Sequence, residues 1–288
     1  MKWFIPLLLI GIMGIAACTS ASNQAIQKTS QPPSLTTAPT ASTTDLEPTA
    51  SPPPTLPSTT VASGLAWDTS PGAKVIIATF CCGLSPELLR LNYLPVAQVW
   101  GDGRILWSKI DAEGHRQVWE GMLSQEQMTG LLQSAVNVGF FDWEELYKSP
   151  DSPTDLPPRC VSIQLRDQVH RVCEYQKGAP RAFTSLYTTL ENGAGLDGKD
   201  YKPAKGFLVA HPQSASYNDS QVPVWDAKST NITLSQAING LWVEGPALDA
   251  VWELLKSKPA GPIVMHNGDY YQLSLQIPGV SLMEPPAP

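Results

Sequence analysis

Charge is what this chain has least of. Lys, Arg, Asp and Glu make up 16% of its 288 residues, against about a quarter in an ordinary globular protein. The cations are the minority: 19 Lys and Arg face 26 Asp and Glu, giving a formal net charge of -7 and a pI near 5.1. Nucleic acid recruits basic faces, so the composition argues against a nucleic-acid partner. Histidine is scarce too. His115, His170, His211 and His266 each stand without a second ligand-type residue at metal spacing, so no metal or other cofactor is expected. The G-x-S-x-G, S-x-x-K, H-E-x-x-H and C-x-x-C patterns are all missing, and "GDGRIL" does not continue into a phosphate-binding glycine pattern. The expectation is a protein that is not an enzyme.

Two fragments come nearer to chemistry. "LDGKDYK" carries Asp197 and Asp200 but lacks the third acidic position and the distal glutamate of a calcium loop. Glu144 and Glu145 stand beside Trp143, and glycoside hydrolysis needs two carboxylates facing each other across a cleft. Adjacent glutamates at a helix start are more simply solvated or matched to the helix dipole.

Long hydrophobic runs are also lacking, with one exception. The N-terminus reads "MKWFIPLLLIGIMGIAACTS", in which Lys2 precedes an unbroken apolar run from Trp3 to Ala17. About 15 residues are too few to span a bilayer core, which needs roughly 20. A charged start, a short apolar centre and a small-residue exit describe a secretory signal peptide over residues 1–17. Its end, Ile15-Ala16-Ala17-Cys18, resembles the lipobox of bacterial lipoproteins. That resemblance implies that the Cys18 thiol is diacylated and becomes the new N-terminus, a lipid anchor in the membrane.

Residues 19–62 hold eight prolines and eighteen Ser or Thr among three charges, Lys28, Asp45 and Glu47. Such a segment buries too little surface to offset its chain entropy. Residues 18–62 are therefore expected to be a disordered tether, reaching roughly 40 Å as a coil and roughly 130 Å fully extended. The rest of the chain divides into an α+β domain over 63–203 and a smaller α+β unit over 204–288 packed on it. The expected fold is antiparallel sheets built from hairpins with two or three packed helices.

Strands are expected at Val75–Ala78 and in "RQVWEGML", with a hairpin in "VAQVWGDGRILW" turning on Asp102-Gly103. That two-residue turn pairs Trp100 with Ile105 and Gln98 with Trp107, placing Trp100, Ile105 and Trp107 on one face and Val99 and Leu106 on the other. Both faces are apolar, so the ribbon should be central or covered. A helix comes next, with Ser124 and Gln127 as a capping box, Leu123 and Met128 as a hydrophobic staple, and an apolar stripe of Met128, Leu131, Leu132, Ala135 and Val136 ended by Gly139. A second helix has Pro180 near its first position and Phe183, Leu186, Tyr187 and Leu190 on one side. In the last unit, "GFLVA" and "LWVEG" are strands, "GPALDAVWELLKSK" is a helix, and Asn267-Gly268 turns a closing hairpin.

Four cysteines remain after Cys18, an even count that favours disulfides in an oxidising compartment. In "RCVSIQLRDQVHRVCEY", a turn at Arg166-Asp167 sets Cys160 opposite Cys173 on a pair where the Cα atoms lie about 4.5 Å apart. This spacing predicts a cross-strand disulfide on the polar face, with Val161, Ile163, Leu165 and Val172 facing the core. Cys81 and Cys82 are then left to each other as a vicinal disulfide, with crossed pairing to Cys160 and Cys173 as the alternative.

Tryptophan is in excess. Trp100, Trp107 and Trp143 are candidate binding aromatics, since exposed rings stack on sugars and peptides; the competing reading puts Trp100, Trp119 and Trp252 in the core. Taken in order, "VWGDGRILW", "LSQEQMTGLL", "GFFDW" and "YYQLSLQIPG" resemble a family of Chloroflexota lipoproteins of unknown function, a likeness that brings no activity and no site. The reading is a membrane-anchored, extracytoplasmic lipoprotein with a non-enzymatic binding or structural role, its partner a cell-wall polymer or another envelope protein. The rivals are a secreted hydrolase with a dispersed site and a thiol-redox lipoprotein using Cys81 and Cys82.

Overall fold

The structure is a computed structural model that describes residues 65–80, 87–149, 156–214 and 221–288. The expected signal peptide, Cys18, the expected tether and the Cys81-Cys82 doublet lie outside the described residues. The fold is α+β, with twelve strands in two sheets and five α-helices among the described residues. The larger sheet contains β1 (Lys74–Phe80), β2 (Ala97–Trp100), β3 (Arg104–Ile110), β4 (Arg116–Met122), β5 (Leu146–Lys148), β6 (Arg159–Gln164), β7 (Val169–Tyr175) and β8 (Lys199–Asp200). Their order is β5-β7-β6-β1-β2-β3-β4-β8, antiparallel except where β5 runs parallel to β7. The smaller sheet orders β9 (Gly206–Gln213), β10 (Leu241–Val243), β11 (Ile263–His266) and β12 (Asp269–Gln276) as β10-β9-β12-β11.

Hairpin register is where sequence reasoning succeeds twice and slips once. Asn267 and Gly268 both have positive φ, 53° and 88°, as a two-residue hairpin turn requires, and His266 pairs with Asp269. In β6–β7, Leu165 N–H donates to Gln168 O at 2.7 Å and Cys160 faces Cys173, as the turn at Arg166-Asp167 dictates. The β2–β3 pairing differs from expectation by one residue. Val99 opposes Ile105 and Gln98 opposes Leu106, so the loop has three residues, Gly101, Asp102 and Gly103. Gly101 N–H donates to Ala73 O at 2.8 Å, and a Cβ on Gly101 would stand 1.8 Å from Asp68 O. These bonds hold it out of the ladder, and Gly103 closes the loop at φ +90°. A shift of one residue sends every β2 side chain to the opposite face. Trp100 therefore shares a side with Leu106, while Val99 shares one with Ile105 and Trp107.

Three helices carry the packing. α2 (Gln125–Asn137) follows α1, the single turn Glu87–Arg90, and starts at the Ser124–Gln127 capping box with both reciprocal bonds made. Met128, Leu131, Leu132 and Ala135 are buried, but Val136 lies at the stripe's margin and is exposed. α3 (Arg181–Glu191) buries Phe183, Leu186, Tyr187 and Leu190, with Pro180 at the N-cap rather than inside the first turn. After the single turn α4 (Ala227–Thr230), α5 (Gly245–Ser257) buries Leu248, Val251, Trp252 and Leu255.

The larger sheet is covered on both faces. On one side Val99, Ile105, Trp107, Val161, Ile163 and Val172 meet α2 and α3. On the other, Trp100, Leu106 and Val118 meet α5 and the inner face of the smaller sheet through Leu208, Ala210, Leu273 and Leu275. The sheets divide between residues 200 and 206, but the second core does not divide there. Asn92 ties the halves together: its amide accepts from Leu275 N–H at 2.9 Å and donates to Leu273 O at 3.2 Å, standing in for a neighbouring strand along β12.

Candidate functional site

Seven of the eight tryptophans among the described residues, all but Trp242, belong to the two cores or pack against them. Trp100 is 1% exposed, with the Arg104 guanidinium 3.7 Å from its ring centroid, the cross-strand neighbour that the three-residue loop brings opposite. Trp107 is 5% exposed, stacked on Trp119 at 6.0 Å, and Cβ atoms on Gly193 or Gly198 would collide with its ring at 2.5 and 2.3 Å. Neither ring offers a free face to a ligand, which corrects the reading of Trp100 and Trp107 as binding aromatics. Trp143 is half-buried, edge-on to Phe140 at 5.5 Å, and its carbonyl accepts from His170 Nε2 at 2.9 Å. All eight tryptophans among the described residues are buried or half-buried.

Cys160 and Cys173 form a disulfide with Cα atoms 4.1 Å apart. The face they occupy is not a polar, open one: Cys160 is 2% exposed and Cys173 9%. β5 lies alongside, with Leu146 beside Cys173, and Arg171 Nη2 reaches Cys160 Sγ at 3.5 Å. Glu144 and Glu145 are exposed and sit between the 3-10 turn Phe140–Asp142 and β5, so they do not start a helix. Asp197 and Asp200 are exposed, and among the described residues no three His, Cys, Asp or Glu side chains gather as a metal site.

The richest mixture of functional groups lines an open cleft of about 410 Å³ where the start of β4 approaches the end of α5. The loop between β3 and β4 contributes Asp111 and His115, β4 contributes Arg116 and Trp119, β8 contributes Asp200, and α5 contributes Glu253, Lys256 and Ser257. Asp111 Oδ1 accepts from the backbone N–H groups of Glu113 and His115 at 3.1 and 2.7 Å, which fixes the loop. Lys256 Nζ stands 2.9 Å from Glu253 and 3.9 Å from Asp200. Arg116 is 9% exposed and donates from Nη1 to Asn92 O at 2.9 Å. Burial pushes its pKa down to about 10, so it remains a cation at neutral pH.

Asp111, His115 and Ser257 are the residue types of a hydrolytic triad, but they are not joined as one. His115 Nδ1 is 3.6 Å from Asp111 Oδ2, beyond hydrogen-bond distance. Ser257 Oγ donates to Leu254 O at 2.9 Å. No sequence motif marks this cleft because its residues come from four elements. One local signal does exist: the alternation of β4 puts Arg116 on the same face as Val118, a cation on a core-facing period.

Two other hollows, each of about 440 Å³, are simpler. In one, Lys74 is already bonded to Glu284 at 2.7 Å and Asp68 accepts from Ser70 N–H. Hydrogen bonds from the Ser70 backbone and side chain hold the Asp68 carboxyl below its ordinary pKa. The other lies along β5, beside Tyr147 and Lys148. No family model, curated protein or solved structure matches the chain.

Proposed function

We propose that the chain is a membrane-anchored lipoprotein, attached through lipid on Cys18 and facing the extracytoplasmic side. Its folded domain has a non-enzymatic binding or structural role in the cell envelope, with an envelope polymer or protein as partner. The Cys160–Cys173 disulfide carries this reading, because such bonds persist in oxidising compartments and are rare where thiols are kept reduced. The N-terminal pattern supports the anchor: a short apolar run, small residues, then Cys18 and a Ser/Thr/Pro-rich stretch long enough to hold the domain away from a surface. A single fatty chain binds membranes only marginally, whereas two anchor stably. Fractionating cells that express wild-type protein or Cys18→Ala tests it. Wild type should sediment with membranes and incorporate labelled palmitate, and Cys18→Ala should do neither; a variant that stays membrane-bound overturns the anchor.

The presence of Asp111, His115 and Ser257 in one cleft favours the hydrolase reading as the rival. It requires Ser257 to leave its bond to Leu254 and to meet His115.

A further inference from the structure

We propose that the cleft between β4 and α5 binds a short peptide, with Arg116 receiving its C-terminal carboxylate and the acidic rim receiving its ammonium group. The starting point is a charge without a counter-ion. Among the described residues, the buried charged side chains that can be compared are Arg116 and Glu174. Glu174 is paired with Arg159 and also accepts from Ala179 N–H. Among the described residues Arg116 has no carboxylate within 4.0 Å; its Nη1 donates to Asn92 O, and Tyr93 is the other group that acts on its charge. Other cations are satisfied: Lys74 by Glu284, Lys199 by Glu120, Lys256 by Glu253, and Arg104 by the Trp100 ring. A desolvated guanidinium is costly without a partner, and its planar fork matches a carboxylate in two parallel hydrogen bonds.

The rest of the cleft selects the kind of anion. Asp111, Asp200 and Glu253 outnumber Lys256 as permanent charges around the mouth. A dianion such as phosphate would be repelled there, while a molecule with a carboxylate at one end and an ammonium at the other suits both regions. The volume of about 410 Å³ lies at the small-ligand end of binding-site sizes and suits two or three residues. Backbone is on offer as well. β3 lies along one edge of β4 at Arg116 and Gln117. On the other edge β8 pairs with Trp119 and Glu120 and Tyr201 N–H donates to Val118 O, so among the described residues no strand covers that edge at Arg116 and Gln117, and an extended peptide can continue the sheet there. This ligand assignment rests on the binding reading of the domain but not on the lipid anchor, which Cys18→Ala tests separately.

The test is calorimetric titration of the full-length protein in detergent micelles with a set of Ala-Xaa-Ala tripeptides, one for each side chain, as free acids. Any tripeptide that binds is then compared with its C-terminal amide and its N-acetyl form. At least one free acid should bind, its amide at least about tenfold more weakly, and Arg116→Gln should weaken the free acid by a similar factor. Glu253→Gln, on the exposed rim, and N-acetylation should each weaken binding by a smaller factor. No binding at about 10 mM overturns the proposal, as does an amide that binds as well as its acid. Should Arg116→Gln prove unfolded by circular dichroism, the amide and Glu253→Gln comparisons decide on their own.

Discussion

The two cores on either side of the larger sheet are built on different plans. Every buried member of the core closed by α2 and α3 lies between Trp67 and Leu190. The core closed by α5 and the smaller sheet joins Leu94, Trp100, Leu106 and Val118 to residues 201–280. The first is assembled from one continuous stretch that also contains the disulfide. The second exists only when two distant stretches meet, with Asn92 bonded to β12 and Gln98 Nε2 donating to Gly279 O at 2.7 Å across the junction. Residues 204–288 form their own sheet but depend on residues 94–118 for their core.

Truncating a side chain that serves the shared core should have the largest effect. Trp100→Ala should cost about 3–5 kcal/mol in urea unfolding, and hydrogen exchange should quicken in β9 and β12 as well as in β2. Unchanged protection in β9 and β12 would break the distinction between the cores. The disulfide belongs to the contiguous stretch, closing a loop with a sequence separation of 13. Replacing Cys160 and Cys173 together by Ala should cost about 3 kcal/mol, with exchange quickening in β6 and β7 but not in β9 to β12.

The smallest effect is on pH dependence, and it belongs to the second sheet. His211, on β9, is half-buried, its Nε2 has no partner among the described residues, and burial lowers its pKa. A histidine whose folded pKa is depressed contributes stability that is fully present above its unfolded value of about 6.5 and is lost as pH falls towards the folded value. Wild type should therefore lose more stability than His211→Gln between about pH 7.5 and about pH 5.5, measured by urea midpoints. Equal losses would show that burial of this ring leaves no imprint on folding.

Much of the fold was legible because it depends on neighbours along the chain. Ser124 and Gln127 form a capping box within one helical turn, and Asn267-Gly268 needs only its own two positive φ angles. The facing of Cys160 and Cys173 survives a change of loop from two residues to four, since both keep the same parity. At Gly101 parity changed, because a bond to Ala73 and the approach of Asp68 add one residue to the loop, and neither partner is local. Trp100 moved to the other face as a result. The cleft was harder to see, since Asp111 and Lys256 are brought together by packing α5 against β4 and no spacing in the chain records that contact.

By itself the sequence determined the order of the main helices and strands, the two-residue turns at Arg166-Asp167 and Asn267-Gly268, and the facing of Cys160 and Cys173. Local backbone preference and side-chain period act over one turn or one hairpin, so they can be read along the chain. Only the tertiary structure decided which face of β2 meets which core, that Trp100 and Trp107 are covered, and that Arg116 is buried with no carboxylate beside it among the described residues, next to the rim of α5. Those outcomes depend on contacts between residues far apart in the chain, where the burial of one surface is set by the shape of another.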